Sequence, residues 1–181
     1  MTTLSPAVSR NLWIGLMTIA STVTTLVLAC ATPFPALAAL AAVRVRRNEG
    51  LLLIGAAWVA SQLVGFCVLD YPKNSNSIAW SVALVMAAVG SLIVAQFSVA
   101  KLNGVHVIAR LVVAYVAAYV GFKLVVLGWS FALDDGWAAF SAKILLRQFV
   151  RYGGILVGLV ILHRLLEVAG VRGVQPAAVH A

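Results

Sequence analysis

From Leu51 to Leu69, and again from Ile78 to Val99, the chain carries no charged side chain. At a rise of about 1.5 Å per residue, helices of such length match the roughly 30 Å hydrocarbon core of a bilayer. A helix satisfies its backbone N–H and C=O groups within the segment, which lipid requires. Composition extends the inference to the whole chain. With 63% hydrophobic and 10% charged residues and a mean hydropathy of +1.05, too little polar surface remains to cover a soluble globule.

Apolar segments occur at Leu12–Thr32, Phe34–Val45, Leu51–Leu69, Ile78–Val99, Val105–Phe131 and Ala138–Leu162. They predict an all-α polytopic membrane protein, a bundle of six transmembrane helices forming one integral membrane domain over residues 1–181. The second segment reaches only about 18 Å. With Pro33 and Pro35 at its start, it is either a short span buried among neighbours or a re-entrant piece covered by protein. Arg10 followed by a run ending Ala29-Cys30-Ala31 resembles a signal peptide. The run from Leu12 exceeds the about 7–15 residues of a signal core, however, and reads as an uncleaved span. Cys30 and Cys67 form neither a metal spacing nor an evident disulfide framework.

Thirteen Lys and Arg against five acids give a net charge of +8. In a soluble chain this would suggest nucleic acid, but these charges sit in loops beside spans and no stacking motif accompanies them. They set orientation instead. Arg44, Arg46 and Arg47, then Lys101 and Arg110, then Arg164 and Arg172 mark cytoplasmic loops, while Asp70–Ser77 and the stretch around Asp134 and Asp135 mark outer ones. Trp80, Trp129 and Trp137 fall at the outer boundaries, where amphipathic rings are favoured. Both termini are therefore expected in the cytoplasm, with Arg10 voting for six crossings. No internal repeat supports an inverted-repeat transporter.

Catalytic signatures are absent: there is no H-E-x-x-H, G-x-S-x-G, P-loop or Rossmann glycine pattern. Glu49, Asp70, Asp134, Asp135 and Glu167 suggest no carboxylate dyad, and His106 and His163 read as interfacial histidines at inner helix ends. The chain is not expected to be an enzyme.

Lys143, Arg147 and Arg151 recur every fourth residue and so share one helical face. Each cation at a helix centre costs about 2.5–3.5 kcal/mol, so the stripe requires acids, water, headgroups or an anionic ligand. It is expected to face the bundle interior, opposite Tyr119 and Lys123, which with Tyr115 form a second stripe. Trp58, Gln62 and Phe66 form a third, leading to Cys67, Asp70 and Tyr71. Trp58, Gln62, Cys67, Asp70, Tyr71, Tyr119, Lys123, Lys143, Arg147 and Arg151 are thus the candidate substrate-binding residues of an aromatic-walled, net-positive cavity under the outer loops. In the competing reading Lys143 snorkels outward, the tyrosines pack as core, and Asp134 or Asp135 neutralises Lys123. Cys67 is either a soft-metal ligand or a small hydrophobe. Ala38 with Ala42, and Ser21, Thr25 and Ala29, have the small-residue spacing that lets helices approach closely.

With Ala31-Thr32-Pro33-Phe34-Pro35, Leu69-Asp70-Tyr71-Pro72-Lys73-Asn74 and Ala132-Leu133-Asp134-Asp135-Gly136-Trp137 as its outer loops, the layout resembles the substrate-binding components of energy-coupling-factor vitamin transporters. The resemblance implies a bacterial inner-membrane protein working with a transmembrane coupling subunit and ABC-type ATPases. Its solitary vitamin B12-type members further imply cobalamin as ligand, with Cys67 the nearest match to their cobalt-binding cysteine. No resident cofactor is expected. The leading expectation is a membrane capture subunit or small transporter for an anionic or phosphate-bearing molecule, plausibly a vitamin. The alternative is a structural or assembly subunit whose basic stripe binds lipid headgroups or a partner.

Overall fold

The structure, a computed structural model, describes residues 5–28, 33–102 and 104–171. Ala29, Cys30, Ala31, Thr32 and Arg172, on which parts of the loop and small-residue readings rest, lie outside the described residues. The described residues form no strand. They fold into α1 (Pro6–Leu28), α2 (Phe34–Arg44), α3 (Arg47–Cys67), α4 (Ser75–Ala100), α5 (Val107–Leu133) and α6 (Ala142–Val168), with a short 3-10 helix, Trp137–Phe140, before α6. Helices α3, α4, α5 and α6 are each long and apolar enough to cross a membrane.

Several helices overrun their apolar segments: α1 begins at Pro6, a residue type tolerated in a first turn, and α6 ends at Val168. Helical hydrogen bonding continues where side chains become polar, so a hydropathy boundary is not a helix boundary. The sixth segment also starts later than its composition suggests. Asp134 ends α5 in the left-handed region at φ 49°, Gly136 follows at φ 81°, and extended Ser141 separates the 3-10 helix from α6.

Helix α2 is the centre of the bundle. Its 11 residues extend about 16 Å, too short to cross a bilayer core alone. Phe34, Leu37, Leu40 and the alanines Ala36, Ala38, Ala39 and Ala41 are fully buried against α3, α4, α5 and α6. Small side chains on most of its circumference let four neighbours close around it. Between α4 and α5 glycine has the same role: a Cβ on Gly121 would stand 3.1 Å from the Val94 side chain, and one on Gly90 3.2 Å from Val125.

Helix α1 packs on α3 and α6. Buried Trp13 donates from Nε1 to His163 Nδ1 at 3.0 Å, and His163 Nε2 lies 3.4 Å from Glu167, which also pairs with Arg164 at 3.1 Å. Because the indole N–H occupies Nδ1, the neutral imidazole carries its proton on Nε2, facing the carboxylate. Side chains reach from α5 to α6: the Tyr115 hydroxyl donates to the Phe149 carbonyl and that of Tyr119 to the Leu145 carbonyl at 2.8 Å. Outward faces carry exposed Leu52, Phe97, Leu124, Phe131 and Leu146, an apolar exterior suited to lipid.

Candidate functional site

At the end of the bundle where α3 and α5 finish, a cavity of about 330 Å³ lies between α3, α4, α5, α6 and the 3-10 helix. Its formation starts with the turn after α3. The Leu69 N–H bonds to the Val64 carbonyl at 2.9 Å and the Tyr71 N–H to the Gly65 carbonyl at 3.0 Å, with Asp70 between them at φ 55°. This folds the Tyr71 ring back onto Gly65, where a Cβ would stand only 2.8 Å from the ring. Phe66 meets Tyr71 edge to face at a centroid distance of 6.4 Å. Tyr71 and Phe66 thus become aromatic walls of the cavity.

The polar groups come from four helices. On α3 and α4, Ser81 Oγ lies 2.7 Å from Gln62 Oε1 and 2.9 Å from the Ser77 carbonyl; its single proton serves one of them at a time. Gln148, on α6, has a buried Oε1 with no hydrogen-bond partner and lines the cavity. Lys123, about 15 Å from the end of α5, is half-buried and, among the described residues, is the sole charged one of the lining. Its Nζ stands 5.4 Å from the centroid of the Phe140 ring and 6.0 Å from that of Tyr119, within cation–π range.

The nearby acids do not neutralise it. Among the described residues Lys123 forms no ion pair. Asp135 instead accepts from Asn76 Nδ2 at 3.2 Å, Trp80 Nε1 at 3.1 Å and the Gly136 N–H at 2.6 Å. These donors hold its carboxyl below the ordinary range, the Asn76 amide contributing most. Asp134 faces Trp137 Nε1 at 3.4 Å. The loop therefore uses its carboxylates to join α4 to the end of α5, and Lys123 keeps an uncompensated ammonium in the cavity.

Of the residues singled out in the sequence, Gln62, Tyr71 and Lys123 meet in this lining. Tyr119 stands beside it, its ring toward the ammonium and its hydroxyl committed to Leu145. Trp58 lies behind the wall, donating from Nε1 to the Ser81 carbonyl at 3.0 Å. Cys67 and Asp70 are exposed and outside the lining.

The basic stripe departs from expectation. Lys143 and Arg147 are exposed, Arg151 is half-buried, and none of them lines the cavity. Tyr152 lies about two and a half turns after Lys143, on the opposite side of α6. The inward face is Gln148, Tyr152, Leu156, Leu159 and His163. Three cations turned inward without an acid would repel one another, whereas outward each long side chain can extend toward headgroups or water.

Gln148, Ser81, Trp80, Phe122 and Tyr152 belong to the site and were not among the candidates. Gln148 alone carries a sequence signal, an amide inside an apolar stretch; the others read as ordinary core or boundary residues. No protein-family model, no curated protein and no solved structure matches this chain.

Proposed function

We propose that this multi-pass membrane protein captures a small anionic molecule, carrying phosphate or carboxylate, in the Lys123 cavity. One observation carries the reading: an ammonium within a spanning helix, unpaired among the described residues, lines a pocket whose loop carboxylates are engaged elsewhere. Gln62, Ser81 and Gln148 supply orienting amide and hydroxyl groups, and Tyr71, Phe66 and Phe122 supply apolar contact. In this proposal six segments cross a bacterial inner membrane with both termini cytoplasmic. The bond between Trp13 and His163, which sets the start of α1 beside the end of α6, supports that arrangement. A capture subunit of this kind would deliver its ligand through a transmembrane coupling protein and ABC-type ATPases. The volume of about 330 Å³ suits a ligand at the small end of the usual range. A corrinoid is several times larger, and Cys67 lies outside the lining, so a compact anion fits this reading better than cobalamin.

The outward placement of Lys143 and Arg147 favours the second reading, a structural subunit whose basic stripe engages headgroups or a partner. One experiment separates the two. Purified protein is extracted for small molecules by mass spectrometry, and its thermal unfolding in detergent is followed with glycerol phosphate and with succinate. A co-purified anion, or a saturable stabilisation reduced about 10-fold or more in apparent affinity by Lys123→Met, supports capture. Neither a co-purified anion nor stabilisation by either probe would leave the structural reading in its place.

A further inference from the structure

At the opposite end of the bundle a second pocket, of about 490 Å³, lies between the α2–α3 turn, the last turns of α4 and the first turn of α5. Arg46, Arg47 and Arg110 line it together with Gln96, and Ile93 and Phe97 belong to its apolar wall. Guanidinium groups stay protonated at any working pH, so this is a concentration of fixed positive charge. Among the described residues none of the three arginines forms an ion pair. Glu49, in the first turn of α3, is buried and does not line the pocket. Glu167 is taken by Arg164 and His163.

Two further observations point to a ligand. Arg110 Nε is buried and has no hydrogen-bond partner among the described residues, although a buried guanidinium N–H normally finds an acceptor. Helix α3 also begins here with Arg46 as its N-cap and no side-chain cap, so its first N–H groups lack a side-chain acceptor, while Glu49 in the same turn offsets part of the helix dipole. Planar guanidiniums match phosphate oxygens in paired hydrogen bonds. Phe97, 66% exposed, extends an apolar wall away from the charges, a combination that suits a headgroup with acyl chains rather than a freely soluble ion.

We propose that this pocket binds the phosphate of an anionic phospholipid, with its acyl chains along Ile93 and Phe97. The site is separate from the Lys123 cavity and independent of what that cavity holds. Basic pockets between spanning helices are suited to such headgroups, and occupancy would tie the α2–α3 turn to α4 and α5.

The test follows thermal unfolding of the full-length protein in a neutral detergent with added phosphatidylglycerol, phosphatidylcholine or inorganic phosphate. Phosphatidylglycerol should stabilise saturably and phosphatidylcholine should not. Arg110→Gln should weaken the apparent affinity about 10-fold or more. Lys73→Gln, at an exposed lysine in the loop at the other end of the bundle, should leave it unchanged. If Arg110→Gln does not fold, Arg110→Lys keeps the charge without the fork and should weaken the response by a smaller factor. Inorganic phosphate alone, acting to the same extent and through Arg110, would show a soluble anion and overturn the lipid assignment. Equal responses to the two lipids, or a full phosphatidylglycerol response in both Arg110 variants, would overturn the site.

Discussion

Where α3 and α5 finish, one ammonium occupies a cavity walled by amides, hydroxyls and aromatic rings; where α3 and α5 begin, three guanidiniums share a pocket with an aliphatic and aromatic wall. Among the described residues both linings hold positive charge and no carboxylate, by different means. At the first end the acids are present and withdrawn: Asp135 is held by Asn76, Trp80 and the Gly136 N–H. At the second, Glu167 pairs with Arg164 and His163 on α6, and Glu49 in the first turn of α3 is buried outside the lining, its Oε2 without a hydrogen-bond partner among the described residues. The difference teaches that net charge says little about a site here. What matters is where the fold places its carboxylates, held by donors as Asp135 is or buried outside the lining as Glu49 is.

The largest effect on this comparison should come from breaking the loop that withdraws Asp135. Gly136 has φ 81°, and a Cβ there would stand 2.8 Å from the Trp80 ring. Gly136→Ala therefore combines a backbone penalty with displacement of the indole that donates to Asp135. Thermal unfolding in detergent should show a loss of about 1–3 kcal/mol. Asp135 then loses one of its three donors and the Trp80 ring that lines the cavity is displaced, so stabilisation by any anionic probe of the cavity should weaken as well, while the phosphatidylglycerol response stays. A stability equal to wild type would show that the loop does not depend on this contact.

A smaller effect sharpens the account of the cavity. Gln148 Oε1 is buried without a partner, and an unmet buried acceptor costs about 1–3 kcal/mol. Gln148→Met removes that penalty while keeping length, so stability should hold or rise slightly. Affinity for a ligand that donates to the amide should fall, by about 5-fold or more for a bond worth about 1 kcal/mol. Unchanged stabilisation of the variant by the probe that acts on wild type would remove Gln148 from the binding groups.

Gln62 and Lys123 were legible in the sequence because an isolated amide or ammonium at helical spacing stands out in an apolar run, and Tyr71 because it follows that stripe into the loop after it. The α3, α4 and α5 segments were legible for the same reason. The inward face of α6 was not. A stripe of cations has the same period whichever way it points, and the choice depended on α5, whose tyrosines reach the Leu145 and Phe149 carbonyls, and on α2, which presents small side chains to α6. The shortness of α2 was visible and its central position was not, since burial among four helices is a property of their packing. Trp80 read as a boundary tryptophan; its bond to Asp135 depends on a loop from a helix 55 positions away.

The smallest expected effect concerns pH and tests whether Asp135 is held as a charged acceptor. Its native carboxyl lies below the ordinary value of 3.8 because Asn76, Trp80 and the Gly136 N–H favour the ionised form. A depressed native value means that the unfolded chain takes up the proton first on acidification. The contribution is therefore complete above the ordinary value and is lost as pH falls through the native one. Wild-type unfolding temperature should drop on acidification below the carboxylate range by slightly more than that of Asp135→Asn, which cannot titrate there. Above that range the variant should be the less stable of the two, since a neutral amide accepts weakly from the same donors. The difference should be small, because Asp135 is exposed and water screens it. Parallel acid profiles for the two proteins would mean that the loop holds Asp135 by shape alone and that its charge adds nothing to the fold.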